Sequence, residues 1–496
     1  CPDMQILIYD CGGEVDTMSF NNRKDLISLQ KSNQTEIEKA MYFLVEGLKN
    51  QSLEIIGKAA TISAFANQKI LFKKPLEDFY TRGTALGGKG VICAHSGTVL
   101  GLIVAPGADI EAIRTKIKDY DLGVFYLDTV RSTNQSVNWM ILSQSRHGGD
   151  IFKLPGGERD GFLDFSININ PLGLSPKGKE ALIRSWEKEV LRYPDMECRE
   201  LISALANRYG MPDRMITVGN GATEIMYTLL RVLLPGKVYV PAPSFSEYRL
   251  SAESVNAKVE EIPLSAKTDF KIPVEFFTKI EPKSVVYLGN PNNPDGQILN
   301  EERLKQILPL VEKTQSYLIL DESFVDFLGD SFSYRKLCLC HRQVIIVSSL
   351  TKFYAVPGLR IGCSFSTEEI AKKCQEQLIP WHVNGLVQTY MKSALADDAY
   401  IQRTREYCKT ERNRMITDLS AIDSIKVYPG SVNFFLCKLM RKFKSAYELQ
   451  QALWTYKIIL RQCGNYAGLD ESYFRIAVKI KEENLRLVNA LRKVLE

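Results

Sequence analysis

Residues 344–362 read VIIVSSLTKFYAVPGLRIG, and the order of residue types in this stretch decides the fold. Residues 344–347 are an apolar, β-branched run of the length and composition of a buried strand. The run stops in two hydroxyl residues, Ser348 and Ser349. A third hydroxyl, Thr351, precedes Lys352, and Arg360 follows eight residues on. The same pattern recurs upstream. Residues 237–240, 284–288 and 317–320 are strand-like runs, each leading into a Gly/Pro/Ser/Asn-rich turn or an acidic residue. Strands alternating with helical patterns predict an α/β fold with a large, mainly parallel sheet. Residues 384–420 read as helical and charged, and 424–480 as the short strands and helices of a smaller α+β lobe.

The whole chain has 496 residues, enough for two to four domains at roughly 100–200 residues each. Its hydrophobic and charged fractions, 45% and 24%, are those of a soluble globular protein. A net charge of +5 spread over this length argues for neither a nucleic-acid nor a membrane partner. Eleven cysteines without paired or regular spacing predict a reduced, cytoplasmic protein rather than a disulfide framework. No apolar run approaches the ~18 residues of a membrane span. The chain opens on Cys1-Pro2-Asp3 with no signal-peptide pattern and no initiator Met, as an incomplete or processed product would. The expected division is residues 1–127, a polar linker at 128–146, and 147–496. The last part is expected to split into a large domain at about 190–380 and a small one at about 147–189 plus 381–496.

Chemistry concentrates in five places. Lys352 can form a Schiff base with an aldehyde cofactor such as pyridoxal 5'-phosphate (PLP), and the hydroxyls and Arg360 around it can hold a phosphate. A lone lysine in a loop is ordinarily just solvated. Asp321 ends the strand at 317–320, where an acid of an α/β fold faces the ligand crevice and can pair with a protonated pyridine nitrogen. Its neighbour Glu322 reads instead as a helix cap or first-turn charge. Asn293 lies in Asn290-Pro291-Asn292-Asn293-Pro294-Asp295-Gly296, whose prolines fix its amide; a plain turn is the bland alternative. Gly219-Asn220-Gly221-Ala222-Thr223-Glu224 leads into a helix and can present N–H groups to a phosphate. Phe245 can stack on an aromatic ring, although a Phe is by default core.

In combination and in this order, these runs resemble a fold-type-I PLP enzyme of the histidinol-phosphate aminotransferase group, and within it the threonine-phosphate decarboxylases. The matching runs are HGGD (147–150), DFSININPLG (164–173), RYPD (192–195), GNGATE (219–224), NPNNPDG (290–296), LDESFVDF (320–327), SSLTKFYAVPGLRIG (348–362) and LRQCGNYAGLD (460–470). The resemblance implies that Lys352 carries PLP, Asp321 holds the pyridine nitrogen, Asn293 meets the ring hydroxyl and Phe245 stacks on the ring. Ala222, Thr223, Ser349, Thr351 and Arg360 would form the phosphate cup, and Tyr193 would reach the cofactor phosphate of the other subunit of a homodimer. Arg475 would grip the substrate carboxylate and Arg461 its phosphate, with Ser145, His147 and Asn168 assisting. Phe324 stands where the related aminotransferases have Tyr, as it does in the decarboxylase branch.

The implied reaction is loss of CO2 from L-threonine O-3-phosphate, giving (R)-1-aminopropan-2-yl phosphate, the linker of the cobalamin nucleotide loop. The implied substrate is thus a small phosphorylated amino acid. Phosphoserine, one methyl smaller, is an alternative, because a methyl is worth only ~1–3 kcal/mol of discrimination. Transamination of histidinol phosphate or an aromatic amino acid is the other.

Residues 1–127 resemble the C-terminal half of a GHMP-superfamily small-molecule kinase, on the runs ILIYDCGGEVDT (6–17) and AHSGTVLGLI (94–103). The phosphate loop of that superfamily is missing, so this part is expected not to phosphorylate threonine. Asp16, His95 and Ser96 are expected to be structural.

Overall fold

The computed structural model describes residues 2, 4–10, 33–68, 70, 72–93, 99–109, 112, 113, 116, 129–132, 148, 149 and 161–496. The chain forms two compact units, Cys1–Leu142 and Ser143–Glu496.

Among the described residues, the first unit holds four strands, β1 (Met4–Asp10), β2 (Gly90–Cys93), β3 (Val99–Val104) and β4 (Thr129–Ser132). They form an antiparallel sheet in the order β2-β3-β1-β4. Helices Gln34–Lys49, Leu53–Asn67 and Leu76–Ala85 accompany it. Ser52 caps the second of these, its side chain accepting from the Ile55 N–H. Leu7, Phe79, Val91, Leu100 and Leu102 make the core. The expected linker needs correction. It begins with β4, whose residues 129–132 pair with β1, so sheet hydrogen bonding outweighs the polar composition of that stretch. The residues Asp16, His95 and Ser96 lie outside the described residues.

The second unit begins with a short strand, β5 (Leu163–Asp164), and carries a seven-stranded sheet. Its strands are β6 (Ile216–Gly219), β7 (Lys237–Ala242), β8 (Lys258–Pro263), β9 (Val285–Gly289), β10 (Tyr317–Asp321), β11 (Val344–Ser349) and β12 (Gly362–Phe365), in the order β6-β12-β11-β10-β9-β7-β8. Strands β7 to β11 run parallel. β12 is the exception, antiparallel to both β11 and β6. Residues 350–361 join it to β11 with only a single helical turn at Leu350–Phe353, so the chain returns alongside β11 without a full crossover helix. The sheet is therefore mixed by one strand, and mainly parallel as the sequence predicts. β9, β10 and β11 are buried along their whole lengths but for the half-buried Tyr317, as strands covered on both faces must be.

The smaller lobe contains β13 (Ile425–Tyr428), β14 (Phe434–Leu439), β15 (Ile458–Ile459), β16 (Arg461–Gln462) and β17 (Tyr473–Ala477). Four of these form an antiparallel sheet in the order β13-β14-β17-β16, and β15 pairs with β5. Phe165, Phe435, Phe474, Ile476 and Leu487 fill the core of this lobe. Helices Gly385–Ala394 and Asp398–Ser420 occupy the stretch read as helical, and Asp397 caps the longer one through the Tyr400 N–H. No helix among the described residues is long and apolar enough to cross a membrane.

Candidate active site

β9, β10 and β11 end at the same edge of the sheet, and a polar residue at or just past the end of each does the work there. Ligands bind at such an edge in open α/β sheets. Asn290 follows β9 and donates from its backbone N–H to Asp321 O at 2.8 Å. Asp321 ends β10, and Ser349 ends β11. Lys352 sits in the single helical turn after β11. Its ammonium donates to Ser349 Oγ at 2.8 Å, and Ser349 Oγ lies 2.8 Å from Thr351 Oγ1. Asn170 fixes this turn from outside. Its N–H donates to Lys352 O at 2.9 Å and its amide to Phe353 O at 2.8 Å. Burial brings the Lys352 amine down to about 8, Asp321 opposes that, and the Arg360 and Arg475 charges reinforce it.

Asp321 is buried and held at both oxygens. Tyr248 Oη donates to Oδ2 at 2.7 Å, and the Ser323 N–H donates to Oδ1 at 2.9 Å. Tyr248 stacks on Tyr287, with centroids 4.8 Å apart and planes 3° from parallel. Burial raises the Tyr248 phenol well above its ordinary range, and Asp321 adds to the rise, so Tyr248 stays a donor. Phe245 stands edge-on to Tyr248 at 5.9 Å.

Gly221 has φ +88° and precedes the helix Ala222–Leu233. A Cβ there would lie 2.5 Å from Arg360 Nη2, so the guanidinium sits over the helix N-terminus in space a side chain would take, and the positive φ favours glycine. The backbone of β12 approaches just as closely, since a Cβ on Gly362 would lie 2.4 Å from Ala222 N.

The smaller lobe supplies the facing wall. Arg461 in β16 and Arg475 in β17 are directly opposed cross-strand partners, so both side chains point to one face. They are only 4% and 5% exposed. Arg475 donates to Asn293 Oδ1 and, at 2.7 Å, to Ser166 O. Arg461 donates to Gln462 O at 2.8 Å and to Asn465 Oδ1 at 3.1 Å. Among the described residues, Arg475 Nε and Asn168 Oδ1 are buried without a hydrogen-bond partner.

One cavity gathers Asn168, Ala222, Thr223, Phe245, Asn293, Asp321, Ser349, Lys352, Arg360, Arg461 and Arg475, which are eleven of the residues singled out by sequence. Thr351 is buried behind Ser349 and does not line the cavity. Tyr193 is elsewhere, 81% exposed, with its ring 4.7 Å from that of Trp381. Ser145 and His147 lie outside the described residues, although Gly148 reaches the cavity wall. Glu322 is no surface cap. It is fully buried, accepting from Asn290 Nδ2 at 3.2 Å and the Tyr334 N–H at 2.7 Å, with Arg335 4.0 Å away. The short β10 ends in a buried loop rather than a helix, which is why the N-cap reading fails there.

Sequence reasoning missed Tyr248, Ser323, Ser166 and Tyr466, all of which line the cavity. Only Tyr248 had a local signal, its three-residue spacing from Phe245.

A match to the family Aminotransferase class I and II covers residues 160–491. The chain belongs to this family. It is 34% identical over 361 residues to a threonine-phosphate decarboxylase of Salmonella typhimurium, covering 72% of this chain and 98% of that protein. Among solved structures, L-threonine-O-3-phosphate decarboxylase from Porphyromonas gingivalis is similar with a TM-score of 0.60 at 26% identity, covering 67% of this chain and 98% of that one. Histidinol-phosphate aminotransferase from Clostridium acetobutylicum is similar with a TM-score of 0.61 at 31% identity, with the same coverage. Family members use PLP. The donor set here fits that group: an amine, a buried carboxylate, an aromatic ring, and hydroxyls with a guanidinium at a helix N-terminus.

Proposed function

We propose that the chain is a PLP-dependent carboxy-lyase that converts L-threonine O-3-phosphate to (R)-1-aminopropan-2-yl phosphate and CO2, the linker step of the cobalamin nucleotide loop. The observation that carries this reading is the Arg461–Arg475 pair, buried in one cavity with Lys352 and Asp321. Two like charges directly opposite one another are unfavourable until anions reach them. A substrate with both a phosphate and a carboxylate supplies one anion to each guanidinium.

Bound PLP supplies an electron sink for the pair of electrons left when CO2 departs. Asp321, fixed by Tyr248 and Ser323, keeps the ring nitrogen protonated. Arg475 takes the substrate carboxylate, using donors that Asn293 and Ser166 leave unoccupied, and so orients the bond to be broken. Arg461 takes the phosphate. Lys352 Nζ, poised at Ser349 Oγ, holds the proton that replaces CO2 at the substrate Cα. Phosphoserine presents the same two anions and is the second substrate to test.

The similarity to histidinol-phosphate aminotransferase supports a second reading, transamination. Purified protein with PLP is assayed with phosphothreonine and phosphoserine, with and without 2-oxoglutarate. CO2 release without a keto acid, lost in Lys352→Ala, is the expected result. Glutamate formation without CO2 would replace the decarboxylase reading with the aminotransferase one.

The enzyme is further proposed to be a cytoplasmic homodimer. Nine described cysteines are free thiols, which accords with a reducing compartment. Tyr193, Trp186, Leu191, Ile379 and Trp381 are exposed apolar residues of the kind a partner covers, and Tyr193 would there serve the partner's cofactor phosphate. For residues 1–127, the proposal is a kinase-like remnant that does not phosphorylate threonine.

A further inference from the structure

The loop after β16 carries Tyr466, which the mechanism above does not use. Its N–H donates to Cys463 O at 3.0 Å, and its carbonyl accepts from the Leu469 N–H at 3.1 Å. Gly468, at φ +82°, brings the loop against the end of β7, where a Cβ would lie 3.0 Å from Ala242 O. The ring so fixed lies under the Arg461 guanidinium, 5.1 Å from centroid to carbon. Such a cation–π contact restrains the guanidinium plane as well as its position.

Space explains why a restraint is needed. A second cavity, lined by Ser244, Ser246 and Arg249, shares Phe245, Arg461 and Tyr466 with the first. Phe245, Arg461 and Tyr466 thus lie between the two. With the ring removed, the Arg461 head keeps its bonds to Gln462 O and Asn465 Oδ1 but loses its restraint on the side of the second cavity, so its distance to Arg475 is set less tightly.

We propose that Tyr466 is a specificity-determining residue that sets the separation between the phosphate and carboxylate subsites and so selects the chain length of the phosphorylated amino acid. The proposal rests on the substrate class put forward above. Phosphothreonine and phosphoserine place the same number of atoms between the two anions. Phosphohomoserine has one methylene more.

The test measures binding, so it does not depend on which reaction follows. PLP-loaded wild type, Tyr466→Ala and Tyr466→Phe are mixed rapidly with phosphothreonine, phosphoserine and phosphohomoserine, and Kd is read from the concentration dependence of the initial change in cofactor absorbance, before turnover. Wild type is expected to prefer phosphothreonine over phosphohomoserine by about tenfold or more, the scale of one misplaced methylene. Tyr466→Ala should bring that ratio to within about threefold while leaving the phosphothreonine/phosphoserine ratio in place. Tyr466→Phe, which keeps the ring, should retain the preference. A wild type that does not discriminate chain length, or an alanine variant with the wild-type ratio, overturns the proposal. Binding with the expected ratios but without CO2 release would sink the decarboxylase reading and leave the role of Tyr466 standing.

Discussion

Replacing Arg475 with lysine tests the assignment of the two anion subsites most directly. The guanidinium has five N–H donors. One goes to Asn293 Oδ1 and one to Ser166 O, and the Nε–H has no partner among the described residues. Donors therefore remain for a carboxylate, and the Asn293 and Ser166 bonds fix the plane in which they lie. Lysine keeps the charge but offers three donors from a single point. It cannot hold Asn293, Ser166 and both oxygens of a carboxylate together. The loss is about one charge-assisted hydrogen bond, ~1.5–3 kcal/mol, or roughly 10- to 150-fold in affinity. The assay compares phosphothreonine with the product, 1-aminopropan-2-yl phosphate, which lacks the carboxylate. Arg475→Lys should weaken substrate by that factor and product by less than about threefold, whereas Arg461→Lys should weaken both about tenfold or more. Equal weakening of substrate and product by Arg475→Lys would refute the assignment of the carboxylate to this residue.

Capture of PLP by the apoenzyme should be half-maximal near pH 8 and fall about tenfold per pH unit below it. Only the neutral amine attacks the aldehyde, and burial lowers the Lys352 amine to about 8; stopped-flow absorbance gives the profile, and a midpoint at or above 10 would contradict it. Gly221→Ala should weaken PLP about tenfold or more, because its Cβ would displace Arg360 and the φ of +88° disfavours an L side chain; equilibrium dialysis reads the loss. Glu322→Ala should lower stability by ~1–3 kcal/mol, since it strips partners from the buried Asn290 amide, the Ser333 hydroxyl and the Tyr334 N–H, while Asp326 and Asp330 still balance Arg335. Thermal unfolding reports this as a fall in Tm of several degrees.

Lys352, Asp321 and the glycine turn at Gly221 are legible in the sequence for one physical reason. In an α/β fold the end of a strand is both a local sequence event, an apolar run giving way to a polar residue, and a place at the ligand edge. Position along the chain then implies position in space. The arginines of β16 and β17 were legible only through family resemblance, because the two short strands carry no periodic signal of their own. Glu322 shows the opposite case. One residue beyond Asp321, it looks like a surface charge, and its burial against Arg335 depends on a loop that returns eleven to thirteen residues later.

By itself the sequence determined the strand–helix alternation, the lysine turn after β11 and the carboxylate at the end of β10. These follow from local patterning and from the fixed geometry of sheet edges. Tertiary structure alone decided that β12 runs antiparallel, that Tyr248 reaches Asp321 across 73 residues, and that Tyr466 lies beneath Arg461. Each of these is a contact between segments joined by no local period, fixed by how the loops close over the core.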